Sequence, residues 1–136
     1  MKIFIDTNIF LDVILKRNDF YPDSSKIWSL VSEKRIKGFI SAISVNNLYY
    51  ISKKFIEIRK VTVLISQILE EFEIIPLTKD ILQLAKNIDG KDFEDSIQYF
   101  SAIMNKCDYI ITRDKNGFSD YGIKSVSPKE FINNYW

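Results

Sequence analysis

Four aspartates occupy positions from which carboxylates can converge on one crevice. Asp6 directly follows the first apolar run of the chain, residues 2–5, and Asp114 closely follows another apolar run. Asp92 and Asp95 begin a helical pattern and lie three residues apart, so they share one face of that helix. Two carboxylates about 5 Å apart repel by roughly 3 kcal/mol at an effective dielectric constant of about 20. Several carboxylates in one place therefore require a positive group among them.

A divalent metal ion is the positive group that this pattern favours, since Arg113 is the only cation that the pattern places nearby. Mg²⁺ and Mn²⁺ prefer oxygen ligands and bind through a small number of carboxylates. Asp6, Asp95 and Asp114 are the predicted metal ligands, and Asp92 is predicted to assist them. Such an ion can generate hydroxide from water and stabilise the charge on a reacting phosphate. The chain has no histidine, so the predicted chemistry is hydrolysis without a histidine base.

Two polar side chains beside these aspartates have either a structural or a functional interpretation. Asn8 stands at the start of a predicted helix, where it either caps the helix or holds Asp6 or a bound water. Thr112 is a strand threonine by default, or its hydroxyl steadies the metal ligands. Asp12, one helical turn beyond Asn8, is predicted to be solvated or to act only indirectly.

The composition is that of a globular protein, with 46% hydrophobic and 27% charged residues among 136. This length suits a single domain over residues 1–136. A formal net charge of +1 gives no argument for strong non-specific nucleic-acid binding, but Lys16, Arg17 and Arg113 are candidates to position a phosphate. The N-terminus lacks a signal-peptide pattern and no apolar run is long enough to cross a membrane, so we expect a cytoplasmic protein without membrane contact.

Short apolar runs alternate with amphipathic stretches, which predicts an α/β fold, a three-layer α/β/α sandwich with a short, mainly parallel central sheet. We expect Gly38 to end the second helix, Ser44 to cap the third, and the stretch 17–23 to be a loop. In such sheets the site lies outside the carboxyl ends of the strands, where Asp6 and Asp114 fall. The predicted strands are residues 2–5, 39–40, 73–76, 108–111 and 124–126.

Four stretches of the chain, taken in order, resemble the motifs of the PIN domain. Each is weak alone, but together they extend over most of the chain at fitting intervals. The PIN domain is the fold of many prokaryotic VapC-type toxins and of related nucleases. The stretches are Asp6-Thr7-Asn8-Ile9 with Leu11-Asp12, Asp92-Phe93-Glu94-Asp95-Ser96-Ile97-Gln98 with Ala102, Ile110-Ile111-Thr112-Arg113-Asp114 with Phe118, and Val126-Ser127-Pro128-Lys129-Glu130-Phe131.

This resemblance implies a metal-dependent endoribonuclease that hydrolyses RNA phosphodiester bonds and is the toxin of a toxin–antitoxin pair. It implies Mg²⁺ or Mn²⁺ as the cofactor and RNA as the substrate. A small antitoxin protein is the implied partner, and a homodimer is a further expectation.

The chain departs from the pattern of this family at two positions. Asn47 stands where the family usually carries a glutamate, and Gly117 stands where an acidic residue often precedes the closing phenylalanine. Asn47 offers an oxygen without charge, and Asp92 can partly supply the missing charge. These departures leave a second hypothesis open, a catalytically weakened PIN-fold module that binds RNA or protein. A phosphotransferase with an aspartyl nucleophile at Asp6 is disfavoured, because it requires an acid where Asn8 stands.

Overall fold

The structure is a computed structural model and describes residues 1–88, 92–114 and 122–136. Gly117 and Phe118, from the predicted third motif stretch, lie outside these ranges. The described strands are β1 (Lys2–Ile5), β2 (Lys37–Ser41), β3 (Glu73–Ile75), β4 (Tyr109–Ile111) and β5 (Lys124–Val126). The described helices are α1 (Thr7–Ile14), α2 (Tyr21–Ser32), α3 (Ala42–Ser52), α4 (Ile58–Glu71), α5 (Lys79–Ala85), α6 (Phe93–Met104) and α7 (Pro128–Tyr135).

The strands form a parallel sheet in the order β3-β2-β1-β4-β5. The first strand of the chain therefore lies in the middle, paired with β2 on one side and with β4 on the other. The register of β1 with β4 places Ile5 beside Ile111. The residues that follow, Asp6 and Thr112, consequently leave the sheet side by side. The predicted α/β fold with a parallel central sheet is confirmed.

The two faces of the sheet carry separate hydrophobic cores, because side chains alternate along a strand. Ile3 and Ile5 of β1 join the core formed with α1, α2, α3, α4 and α7. Phe4 joins the core on the opposite face, formed with α5 and α6. Helices thus cover both faces and give the three predicted layers. Among the described helices, none combines the length and the apolar character needed to span a bilayer.

The prediction that Gly38 ends the second helix is wrong, because Gly38 lies inside β2 and α2 already ends at Ser32. A Cβ atom added at Gly38 would lie 2.7 Å from Val31 Cγ2 and 2.8 Å from Phe72 Cδ1. Both distances are too short for real carbon atoms, so glycine is required here by close packing of side chains on the strand and not by helix termination.

Two predicted helix starts also differ from the structure. The N-cap residue of α3 is Ser41, and Ser44 lies buried inside the helix. Helix α2 begins at Tyr21 with Pro22 in its first turn, within the stretch 17–23 that was expected to be a loop. Proline is accepted in a first turn because the N–H group that it lacks would have no partner within the helix.

Candidate active site

Asp6 is held at the junction of the central strand and the first helix. Its backbone N–H donates to the carbonyl oxygen of Ile111 at 3.0 Å, which extends the pairing of β1 with β4 by one residue. Its φ and ψ of −64° and 146° are those of an extended N-cap residue of α1. The residue is only 4% exposed. The carboxylate is therefore placed by sheet geometry at the carboxyl edge of the sheet, where α/β folds bind ligands.

Thr112 links Asp6 to the other strand-end aspartate. The Thr112 hydroxyl donates to Asp6 Oδ2 at 2.9 Å and accepts the backbone N–H of Asp114 at 3.0 Å. Thr112 is fully buried, whereas Asp114 is exposed. Of the two predicted interpretations of Thr112, the geometry favours a hydroxyl that orients a predicted metal ligand.

Helix α6 brings two further aspartates to the same edge. Asp92 is its N-cap residue, and Asp92 Oδ1 accepts the backbone N–H groups of Glu94 at 2.9 Å and Asp95 at 3.2 Å. The Asp92 side chain thus has a structural role as a helix cap, worth about 1 kcal/mol in typical proteins. Its predicted catalytic assistance remains a prediction. The cap fixes the turn that carries Asp95, which is partly buried.

The carboxylates act on one another electrostatically. Burial raises the pKa of Asp6 and Glu94 adds to this, while hydrogen bonds from Thr112, Gln98 and the Asn8 backbone oppose it. Burial also raises the pKa of Asp95 to about 6, with further upward contributions from the charges of Asp6, Asp92, Asp114 and Glu94. The three aspartates predicted as metal ligands therefore lie near enough for the charges of Asp6 and Asp114 to act on Asp95. Among the described residues, no three acidic side chains form a ready-made ligand cage.

Gln98 and Glu94 are site residues that the sequence reasoning missed. Gln98 is 1% exposed, accepts the backbone N–H of Thr7 at 3.4 Å and hydrogen bonds to the Asp6 carboxylate. Glu94 accepts the Thr7 hydroxyl at 3.4 Å. The available signal for Gln98 was its spacing, three residues beyond Asp95 on the same helix face. A polar residue on that face has to point toward the same edge of the sheet.

Helix α3 reaches the site through Thr7. The Thr7 and Ser44 hydroxyls form a hydrogen bond at 2.8 Å, which ties the first turn of α3 to the start of α1. Asn47 lies three residues beyond Ser44, on the same face of α3, and is partly buried. Asn8 is exposed, and it supports Asp6 through its backbone N–H group.

Asp12 forms a buried ion pair, so of its two predicted interpretations the solvated one is wrong and the indirect role stays a prediction. It is completely buried. Arg113 binds it through two contacts, Nε to Oδ2 at 2.9 Å and Nη2 to Oδ1 at 3.0 Å. Ser24 and Arg17 complete its surroundings at 3.1 and 3.4 Å. Arg113, which was a candidate to position a phosphate, thus donates two hydrogen bonds to the buried carboxylate of Asp12.

A sequence model described as the PIN domain matches residues 2–116. The chain belongs to the PIN domain family. This PIN domain is 26% identical to Ribonuclease VapC1 of Aquifex aeolicus strain VF5 over 137 aligned residues. The alignment covers 96% of this chain and 92% of the relative.

Solved structures of low sequence identity share the fold of this PIN domain. VapC20 of Mycobacterium tuberculosis, a toxin that cleaves the sarcin-ricin loop, superposes with a TM-score of 0.74 at 14% identity, over 91% of this chain and 98% of that one. VapBC2 of Rickettsia felis, solved with a DNA fragment from its promoter, superposes with a TM-score of 0.68 at 17% identity, over 93% and 98% of the two chains. FitAcB of Neisseria gonorrhoeae gives a TM-score of 0.65 at 22% identity, over 93% and 98%.

Proposed function

We propose that this PIN domain is a metal-dependent endoribonuclease that hydrolyses RNA phosphodiester bonds, and that it is the toxin of a toxin–antitoxin pair. The observation that carries this proposal is the placement of carboxylates at one edge of the sheet, where the Thr112 hydroxyl binds both Asp6 Oδ2 and the backbone N–H of Asp114. Burial, followed by the charges of Asp6, Asp92, Asp114 and Glu94, raises the pKa of Asp95 at the start of α6. Carboxylates that lie together at the ligand-binding edge of a sheet repel one another, and a bound cation would neutralise this repulsion.

The donor set fits a hard divalent cation, because it consists of carboxylate oxygens with no histidine in the chain. We propose that Asp6, Asp95 and Asp114 hold Mg²⁺ or Mn²⁺. When bound, such an ion supplies a hydroxide-forming water and neutralises charge on the phosphate.

The surrounding residues of the chain orient this donor set. Thr112 and Gln98 orient the Asp6 carboxylate through hydrogen bonds. Asp92 holds the turn that carries Asp95. We further propose that Asn47, on the face of α3 tied to Thr7, contributes an uncharged oxygen or holds a water. Lys16 remains the proposed cation for the phosphate backbone, because Arg17 and Arg113 both contact Asp12.

The proposed partner follows from the relatives. A toxin–antitoxin complex from Klebsiella pneumoniae shares the fold at a TM-score of 0.69 and 19% identity, over 92% of this chain and 96% of that one. We propose a small antitoxin that neutralises this chain in the cytoplasm. We also expect a homodimer, which sedimentation of the purified chain measures. Copurification with the product of a neighbouring small reading frame tests the antitoxin.

A catalytically weakened binding module is the second candidate function, and Asn47 is the observation that favours it. The glutamate usual in this family is absent there. Glu94 offers a carboxylate from another helix, beside Thr7. The two candidates differ in one measurable property, the cleavage of RNA.

Incubation of total RNA with the purified chain tests the proposed function. Cleavage is expected with Mg²⁺ or Mn²⁺ and is expected to stop when EDTA is added. Asp6→Asn should abolish cleavage. Asp80→Asn provides a matched control, because Asp80 is an exposed aspartate in the first turn of α5 and takes no part in the acidic cluster. Cleavage by Asp6→Asn at the parent rate would contradict the assignment, and binding of RNA without cleavage by the parent would favour the binding module.

A further inference from the structure

A cleft of about 350 Å³ includes Arg113, the residue between Thr112 and Asp114, in its lining. It lies between the start of α2, the residue before Asp114, and the start of α7. Its lining includes the aromatic ring of Phe20, the side chain of Arg113, two carboxylates and one lysine. This mixture differs from an apolar groove and from a simple basic patch.

Phe20 and Arg113 line this cleft in contact with each other. Phe20 is 41% exposed, and the Arg113 guanidinium lies over its ring at 3.8 Å from the centroid. Arg113 is itself held by the buried Asp12 through two hydrogen bonds. The guanidinium plane therefore cannot swing away as a free surface arginine would. Aromatic rings and arginine planes are the surfaces on which proteins stack the bases of single-stranded RNA.

The walls of the cleft carry groups that suit the edge and the backbone of a nucleotide. Asp19 and Asp23 can accept hydrogen bonds from exocyclic amino groups. Lys129 can contact a phosphate. Adenine, cytosine and guanine carry an amino group, whereas uracil has none.

Arg113 joins the cleft to the proposed catalytic centre, because it lies between two residues of that centre in the sequence. Arg113 stands between Thr112, which binds Asp6, and Asp114, a proposed metal ligand. The cleft and the acidic cluster therefore share the segment Thr112–Asp114. An RNA strand that crosses this segment can place a base in the cleft and a nearby phosphate at the carboxylates.

We propose that this cleft binds a nucleobase of the RNA substrate next to the cleaved phosphodiester, with preference for bases that carry an amino group. The inference rests on the proposed ribonuclease function. It adds a specificity site built from Phe20, the Arg113–Asp12 pair and the carboxylates of Asp19 and Asp23.

Binding of fluorescein-labelled oligo(A), oligo(C) and oligo(U) to the Asp6→Asn protein tests this proposal by fluorescence anisotropy. In this background we expect oligo(A) and oligo(C) to bind more tightly than oligo(U). Loss of one base stack typically weakens binding about tenfold or more. We therefore expect Phe20→Leu to weaken oligo(A) binding by about tenfold while retaining an apolar side chain, and Phe20→Trp to restore it.

Phe55→Ala is the matched control, because Phe55 is 68% exposed and lies outside the cleft. Two results together would overturn the proposal: equal affinity for the three oligonucleotides, and equal effects of Phe20→Leu and Phe55→Ala on binding. The cleft would then be a candidate site for a protein partner. The separate cleavage assay distinguishes the two levels of failure. An active parent with an unaffected Phe20→Leu variant refutes only the base site, whereas an inactive parent refutes the proposed function.

Discussion

Burial, followed by the charges of neighbouring carboxylates, makes the ionised form of Asp95 unfavourable. Its pKa of about 6 lies above the ordinary value of 3.8. Between these values the native protein binds a proton more readily than the unfolded chain does. The free energy of unfolding therefore decreases as the pH rises from about 4 to 6. Without metal, the contribution of this group to stability is smallest at neutral pH.

Replacing Asp95 by Asn removes the cost of burying its charge and the repulsion from neighbouring carboxylates. Because the side chain is only partly buried, solvent screening reduces the effect to about 1 kcal/mol. We expect Asp95→Asn to raise the free energy of unfolding of the metal-free protein by about that amount at pH 7. At a pH below about 4 the parent carboxyl is protonated and the difference should disappear. Urea denaturation at the two pH values measures both quantities, and an equal difference at both would contradict this account.

Asp92→Ala should have the opposite sign, although the two aspartates share one turn. It removes a cap that accepts two backbone N–H groups. The expected loss in the free energy of unfolding is about 1 kcal/mol. The same urea titrations measure it, and a gain in stability would show that repulsion by Asp92 outweighs its cap.

At the residue scale, the sequence showed which carboxylates leave strand ends but did not show which polar groups hold them. Asp6 and Asp114 could be placed because the end of a strand is visible in the pattern of apolar residues. Asp12 could not, because its partner Arg113 lies 101 positions away and charged residues on helices are solvated by default.

Helix α1 and the end of β4 are joined by the Asp12–Arg113 pair. Arg113 is partly exposed while Asp12 is completely buried. Removal of one partner of a buried pair commonly costs about 3 kcal/mol or more, since the other charge is left unpaired. We expect Asp12→Ala to reduce the free energy of unfolding by about that amount. RNA cleavage should fall as well, because the Thr112–Asp114 segment loses its anchor.

The double variant Asp12→Leu with Arg113→Met provides the control for this prediction. It removes both charges together, so much of the lost stability should return. Chemical denaturation of the single and double variants forms a double-mutant cycle. A double variant that loses the sum of the two single losses would show that the pair contributes no coupling.

The contact of β2 with α2 and α4 leaves no room for a side chain at Gly38. Gly38→Ala would push against Val31 and Phe72. Overpacking of this kind typically costs about 1–3 kcal/mol. We expect a loss of stability in that range by urea denaturation. Lys37→Ala, at the exposed neighbouring position, should change stability by less than about 0.5 kcal/mol.

Most elements could be predicted from the sequence, whereas several boundaries could not. The strands at 2–5 and 124–126 coincide with β1 and β5, because apolar runs bounded by polar residues specify them. Gly38 was assigned to a helix end because glycine favours that position. The reason for its presence, the approach of Val31 and Phe72, is a tertiary contact that no local pattern contains.

The whole molecule should respond to metal through its thermal stability. A ligand that binds only the native state stabilises it by about 2.7 kcal/mol at a concentration of 100 times Kd. For a domain of this size each kcal/mol corresponds to roughly 3–4 °C. We expect Mg²⁺ or Mn²⁺ to raise Tm by about 8 °C near saturation. Differential scanning fluorimetry measures the shift, and Asp6→Asn should lose it. An unchanged Tm of the parent at millimolar metal would favour the binding module.

The class of fold was predictable because strands and helices alternate along the chain. The order of the strands was not predictable, because the periodicity of apolar residues does not indicate which strands pair. In the structure β1 lies between β2 and β4, and helices pack on both faces of the sheet. This order creates the edge where Asp6 and Thr112 meet.

The central position of β1 has a consequence for biosynthesis. Asp6 and the hydroxyl that orients it are separated by 106 positions along the chain. At translation rates of about 5–20 residues per second, that stretch takes roughly 5–20 s to synthesise. Throughout this interval a nascent polypeptide contains Asp6 without the hydroxyl that orients it. The Thr112–Asp6 hydrogen bond therefore forms only after residue 112 has been synthesised, and a chain truncated before this residue lacks the oriented carboxylate.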